Sequence, residues 1–195
     1  MPAGRPRTFD ADKALDHALK VFWRKGYEGA SLDDLTAAMR INRPSLYAAF
    51  GNKESLFRKA LDRYQDRASA YMRSALGQPT ARKFVEHLLR GSADALSSAG
   101  QPRGCLIVQG ALTCGDDADC VRRELIARRL SSEAAIRKRL KRAAAEGDLP
   151  RGTNPAELAG FIATVIHGMS VQAASGATRA QLRKIAATAL RAWPD

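Results

Sequence analysis

The chain has 195 residues, 45% hydrophobic and 27% charged, ordinary globular proportions that exclude a wholly disordered or fibrous protein and allow one large domain or two small ones. With 32 Lys and Arg against 20 Asp and Glu the net charge is +12, which favours polyanionic partners, nucleic acid before an anionic membrane surface. Ala (36) and Leu (20) far outnumber Val and Ile (13 together), so an all-α protein is expected.

Residues 1–8 read as a short basic arm carrying Arg5 and Arg7, which can reach into a minor groove. The punctuation that follows predicts about nine helices. Asp10 is a natural N-cap for a first helix over about Ala11–Lys25, with Ala14, Ala18 and Phe22 on one face and Gly26 just past its end. Ser31 and Asp34 form the S-x-x-D capping pattern of a second helix, Leu32 to about Met39. After the turn Arg40-Ile41-Asn42, Asn42 caps a third helix, Arg43–Phe50, with Leu46 and Phe50 on its inner face. Gly51 stops it, and a fourth helix of about Lys53–Leu76 follows. Further helices are expected at about 81–98, 105–113, 118–146, 155–174 and 179–193, separated by Gly, Pro and Asn punctuation. The expected domains are residues 1–52, an arm with a DNA-binding unit, and residues 53–195, with helix 53–76 connecting the two.

Three short helices, with a three-residue turn between the second and third, match a helix-turn-helix, whose last helix enters the DNA major groove. The side chains suit that role. Arg43 can donate a bidentate pair to guanine, Ser45 can bond a base edge or phosphate, and the Pro44 ring can meet a thymine methyl. Tyr47, next to the inward Leu46, faces out, where its hydroxyl can hold a phosphate. Lys53 stands at the amino end of the fourth helix, where its charge and the free amides both suit phosphate.

The stretch Ser31–Phe57, SLDDLTAAMRINRPSLYAAFGNKESLF, closely resembles the DNA-binding segment of the TetR family of bacterial transcription regulators. The specific elements are Leu46-Tyr47 with Phe50, and Lys53-Glu54 with Phe57. The likeness extends back through Gly26-Tyr27 and covers about residues 9–62. It implies that Ser31 and Thr36 lie near the DNA backbone, that Arg43, Pro44, Ser45 and Ala48 face the major groove, and that Tyr47 and Lys53 hold phosphates. The chain departs from the family pattern at Arg40, where Gly is frequent, and at Pro44. Arg40 is therefore expected in a left-handed backbone that strains a non-glycine residue. Ala48 and Ala49 stand where larger residues are usual, which leaves base reading mainly to Arg43–Ser45.

The resemblance also implies a homodimer on palindromic double-stranded DNA, released by a small effector, and most often a repressor. Gly160, Ala163, His167, Val171 and Ala174, at helical spacing, with Leu182, Ile185 and Ala189 on the last helix, are the expected dimer face. Phe84, Leu88, Cys105, Leu106, Val108, Leu112 and Ile136 are candidates for an effector pocket, whose apolar wall would favour a lipophilic ligand. Cys105 follows Gly104 at a predicted helix start, a location that favours thiolate. Some TetR-like regulators carry a Gly-Cys-Leu segment here and a few respond to thiol chemistry, so the alternative is a redox- or electrophile-sensing regulator acting through Cys105. The competing reading of Cys105 is a small buried hydrophobe.

Other classes fare worse. Cys105 with His87 or His167 is the one nucleophile and base set, nothing in sequence joins them, and neither a phosphate loop nor a G-x-S-x-G element is present. No enzyme, cofactor or metal is therefore expected; the spacing of Cys114 and Cys120 is not a metal signature. The ten basic residues in 119–151 read as a solvated helix face. Three cysteines that cannot all pair point to a reducing cytoplasm. With no apolar stretch after Met1 and no run near the roughly 20 residues of a membrane span, no membrane partner is expected.

Overall fold

The computed structural model describes residues 9–113 and 118–194, apart from the side chains at 68, 69, 112 and 113. The expected arm with Arg5 and Arg7, Cys114, and the side chain of Leu112 lie outside the described residues. The described residues form nine α-helices: α1 Ala11–Gly29, α2 Leu32–Met39, α3 Arg43–Phe50, α4 Lys53–Leu76, α5 Ala81–Leu96, α6 Leu106–Thr113, α7 Asp119–Ala145, α8 Pro155–Ala174 and α9 Arg179–Arg191.

Local chemistry explains most of these limits. Asp10 Oδ1 accepts from the amides of Asp12 and Lys13 at 3.0 and 3.1 Å, satisfying donors that the first turn leaves orphaned. The regular part of α1 stops where sequence places the stop, at Gly26, whose φ of 73° few other residues adopt readily; residues 27–29 add one further turn. Ser31 and Asp34 form a complete capping box on α2. The Asn42 and Asn52 side chains each accept from the backbone amide three residues on, both at 2.8 Å. Four helices, α5, α6, α7 and α9, end or begin one or two residues from the sequence expectation. α5 stops at Leu96 because the Ser97 and Ser98 hydroxyls donate back to Ala93 and Asp94 carbonyls at 2.7 and 2.9 Å, a local alternative to continuing the helix. α6 starts at Leu106 and α9 ends at Arg191.

Two compact units divide between Gln65 and Asp66, within the helix expected to connect the domains 1–52 and 53–195. The first turns of α4 belong to the earlier unit for a physical reason: Leu56, Phe57, Ala60, Leu61 and Tyr64 are buried within it. Its core is aromatic. The Phe57 ring stands edge-on to Phe22 at 4.9 Å and to Tyr27 at 5.1 Å, and Trp23 meets Tyr64 at 4.8 Å, the tilted arrangements that ring quadrupoles favour. Arg63 on α4 holds Asp16 and Asp12 of α1 at 2.9 and 3.2 Å.

The second unit is built around α5. Phe84, Leu88, Leu89, Ile136, Leu140, Ile162, Met169, Leu182 and Ala186 form one buried cluster from α5, α7, α8 and α9. Gly91 lets α4 and α5 approach, since a Cβ there would fall 2.9 Å from Tyr71 Cβ. Arg139 is buried, its Nη2 donating to the carbonyls of Gln78 and Pro79 at 3.2 and 3.4 Å. Thr80, Asn154 and Thr178 cap α5, α8 and α9.

Arg40 adopts φ 57° and ψ 42°, as expected for the position where the family often has Gly. Its amide donates to Ala37 O, and the Ile41 amide to Thr36 O, closing α2. A left-handed backbone costs a non-glycine residue about 1 kcal/mol. Arg40→Gly should accordingly raise the thermal denaturation midpoint by a few degrees, which differential scanning calorimetry would show.

Candidate nucleic-acid interface

Leu46 and Phe50 bury the inner face of α3, at 0% and 5% exposure. The 3.6-residue period then turns Arg43, Pro44, Tyr47 and Ala48 outward, and all four are exposed. Tyr47 keeps 48% of its surface in solvent, a high share for a large aromatic. Ser45 is half-buried. This set is brought together on one outer surface of one helix, as the sequence suggests.

The expected backbone contacts on α2 are more committed. The Ser31 hydroxyl donates to Asp34 Oδ2 at 2.8 Å and accepts from the Asp34 amide at 3.0 Å. The Thr36 hydroxyl donates to the Leu32 and Asp33 carbonyls at 2.9 and 3.2 Å. Each hydroxyl therefore has its hydrogen turned toward its own helix and offers only lone pairs outward, so donation to a phosphate requires it to rotate.

Lys53 is half-buried at the start of α4. Its ammonium lies 4.7 Å from the centre of the Tyr27 ring and donates to the Glu28 carbonyl at 3.4 Å. Burial lowers the Lys53 pKa, against the opposing pull of Glu28. Tyr27 thus orients a cation beside free helix amides. Arg43 makes a contact that spacing does not reveal: its Nη2 lies 2.7 Å from Asp33 Oδ1 in the first turn of α2. The Asp33 carboxylate raises the Arg43 pKa further.

Phe84, Leu88, Leu106, Val108 and Ile136 are at most 5% exposed and packed inside the second unit, and none of them is in the lining of the two cavities described next. One cavity, of about 460 Å³, is lined by Tyr71, Ser74, Gln78 and the α5 residues Lys83, Glu86, His87, Arg90, Gly91 and Asp94. The other, about 500 Å³, lies at the α8 start against Ala192 and Pro194. Both mix polar and apolar walls. Apolar helical spacing marks core as readily as it marks a pocket.

Cys105 is half-buried, one residue before α6, and its amide donates to the Ser170 hydroxyl at 2.9 Å. Burial raises the Tyr71 pKa, the Cys105 thiol adds to the effect, and a hydrogen bond with Ser92 opposes it. Cys120 is exposed. Of the expected dimer face, Val171 and Ala174 are exposed, Gly160, His167, Ile185 and Ala189 are half-buried, and Ala163 and Leu182 are buried in the chain's own core. Leu182, 0% exposed, cannot serve an intersubunit contact. On α8 the exposed large apolar side chains are the expected Val171 and, in addition, Phe161, at 46% and 45% exposure. Phe161 was missed because sequence gives no way to choose which of two apolar stripes the α5 core will take. No helix among the described residues is long and apolar enough to cross a membrane, and no group of metal-ligating side chains occurs among them.

The start of α2 carries a pH-sensitive contact. Lys25 Nζ at 2.7 Å, with the Ser31 hydroxyl and amide, holds the Asp34 pKa down to about 2 from its ordinary 3.8. A carboxyl lowered on folding stabilises the fold fully above its unfolded value, and that contribution is lost as pH falls through the folded one. Urea denaturation from pH 5 to pH 2 should show stability falling below about 3.8, and Asp34→Asn should remove that share of the acid loss.

Comparison with known proteins agrees with this geometry. The family model described as bacterial regulatory proteins, tetR family, matches residues 14–60, and a tetracyclin repressor-like C-terminal domain matches residues 80–193. The HTH-type transcriptional repressor ComR of Escherichia coli K12 is 37% identical over 194 residues, 98% of this chain and 92% of that protein. A solved structure of a cysteine-substituted CifR with 26-base-pair double-stranded operator DNA superposes with a TM-score of 0.93 at 50% identity, covering 97% of this chain and all of that one. A TetR regulator from Rhodococcus sp. RHA1 gives 0.64 at 41% identity, covering 93% of this chain and 97% of that one.

Proposed function

The chain belongs to the TetR family of transcription regulators, and we propose that it acts as a dimeric repressor that binds a palindromic operator through α3 and is released by a small effector. As a family member it is a DNA-binding regulator rather than an enzyme. The observation that carries the operator reading is the outer face of α3: Arg43, Pro44, Tyr47 and Ala48 exposed on a helix whose other face is locked into the core.

In this reading Arg43, Pro44, Ser45 and Ala48 meet base edges, while Tyr47 and Lys53, with Ser31 and Thr36, hold phosphates. The arm residues Arg5 and Arg7 would add a minor-groove contact. Dimerisation through α8 and α9 is supported by exposed Phe161 and Val171, and two recognition helices about 34–36 Å apart then read a two-fold site. The effector belongs to the unit after Gln65. The charged cavity beside Tyr71 suits a polar ligand, whereas a lipophilic one requires the Phe84, Leu88 and Ile136 core to open. Because α4 runs through both units, a ligand that favours one position of its far end biases the other end by its differential affinity for the two states. A regulator of this kind works in the cytoplasm.

Selection from random duplexes with the full-length protein should enrich a palindrome, and affinity for it should fall steeply with salt. Arg43→Ala should cost roughly 1–3 kcal/mol on that site and relax preference at one base pair, while Lys53→Ala should weaken all duplexes alike. Equal loss on every sequence for Arg43→Ala refutes the base-reading role.

A second reading, control through the Cys105 thiol, is favoured by one contact. The Cys105 amide bonds to Ser170 on α8, so an adduct on that side chain would strain the link between the α6 entry and α8. Treatment with a thiol alkylating reagent should then lower operator affinity of the natural protein and leave Cys105→Ser unaffected. Unchanged affinity after full modification of Cys105 sinks this reading.

A further inference from the structure

On a protein of net charge +12, one carboxylate stands out on the surface assigned to DNA. Asp33 is 78% exposed at the side chain and pairs with Arg43, itself 55% exposed, at 2.7 Å. Helix capping does not explain it. The capping box of α2 is closed by Ser31 and Asp34 without Asp33, and Asp33 reaches away from its own helix toward a residue ten positions later. A carboxylate beside phosphates also repels the duplex, so affinity alone would disfavour it.

We propose that Asp33 is a positioning residue for sequence specificity: its carboxylate fixes the Arg43 guanidinium from α2, so that the remaining N–H groups are presented edge-on to a guanine. This rests on the assignment of α3 as the reading helix. Arg43 carries five N–H donors in a rigid fork. One Nη2 donor is taken by Asp33, and among the described residues the others are given no protein acceptor. The Nη1 group and the second Nη2 hydrogen are left to bond O6 and N7 of one guanine, the bidentate arrangement that distinguishes it from the other bases. An unheld arginine would lose rotamer freedom on binding and could equally swing to a phosphate. Asp33 opposes both outcomes. It removes conformers before binding, and its charge discourages an approach by phosphate oxygens. The carboxylate can also accept from a cytosine amino group if the register brings one near, which keeps discrimination within the same base step.

The test compares the full-length protein with Asp33→Asn, Asp33→Glu, Arg43→Ala and the double variant Asp33→Asn with Arg43→Ala. Dissociation constants are measured on the palindrome selected by the natural protein, on single-base-pair variants of it, and on a random duplex of equal length. For Asp33→Asn the ratio of operator to random affinity should fall roughly tenfold, the scale of one bidentate base contact. The loss should concentrate at one guanine position of each half-site, while random-duplex affinity holds or rises. Asp33→Glu should recover part of the ratio. In the Arg43→Ala background, Asp33→Asn should change the ratio no further, because nothing remains to be positioned. Equal tightening on operator and random duplex by Asp33→Asn would overturn the proposal and leave Asp33 as a repulsive charge only. So would an undiminished effect of Asp33→Asn without Arg43. If Arg43→Ala itself leaves the ratio unchanged, the base-reading assignment fails and Asp33 falls with it; if Arg43→Ala abolishes the preference and Asp33→Asn does not touch it, the assignment stands and only this inference is lost.

Discussion

Two buried side chains set everything that α3 can do. Leu46 and Phe50 are held in the core of the first unit, and their insertion decides the rotation of an eight-residue helix about its axis. A helix this short has little stability of its own, so packing rather than propensity keeps it formed and aimed. Rotating it by one residue would bury Arg43 or Tyr47 and expose an apolar face. The aromatic contacts of Phe57 with Phe22 and Tyr27 extend the constraint from α1 into the first turns of α4. The exposed face of α3 is thus an outcome of apolar packing on its opposite side.

Polar groups around that helix divide their labour by position. Caps at Asp10, Ser31, Asn42 and Asn52 satisfy amides at four successive helix starts, which fixes where each helix begins and so where its first side chain projects. Arg43 and Lys53 are then held by groups from other helices, Asp33 in one case and Tyr27 with the Glu28 carbonyl in the other. Exposed ion pairs contribute little to stability, of the order of 0–1 kcal/mol. Their value here is orientation, since a long cationic side chain in solvent otherwise samples many rotamers. Tyr27 does the same for Lys53 with a ring face, which takes up no ammonium hydrogen beyond the one given to the Glu28 carbonyl.

The second unit shows how densely packed helices limit what a sequence reading can promise. Its apolar stripes interlock into one cluster drawn from α5, α7, α8 and α9, while a cavity with charged walls lies beside α5. Protein interiors pack at the density of organic crystals, so opening such a core is a shift between discrete states rather than a gradual swelling. Arg139 marks the same tension at the α4–α5 turn, where a buried guanidinium binds two backbone carbonyls. Among the described residues Arg139 is the one charged side chain that is buried, and it ties the turn to α7.

The sequence by itself determined the all-helical fold, helix limits to within a residue or two outside α1, the left-handed Arg40, and the outward set on α3. These depend on short-range causes: caps, Gly and Pro punctuation, and a 3.6-residue period that acts within one helix. Tertiary structure alone decided that the compact units divide inside α4, that Leu182 and Ala163 are core while Phe161 is surface, and that Phe84, Leu88 and Ile136 fill a core. It also joined Asp33 to Arg43 and Tyr27 to Lys53. Each of these requires knowing which face of one helix meets which face of another, and that choice is made by the packing of all the apolar side chains together, which no local spacing encodes.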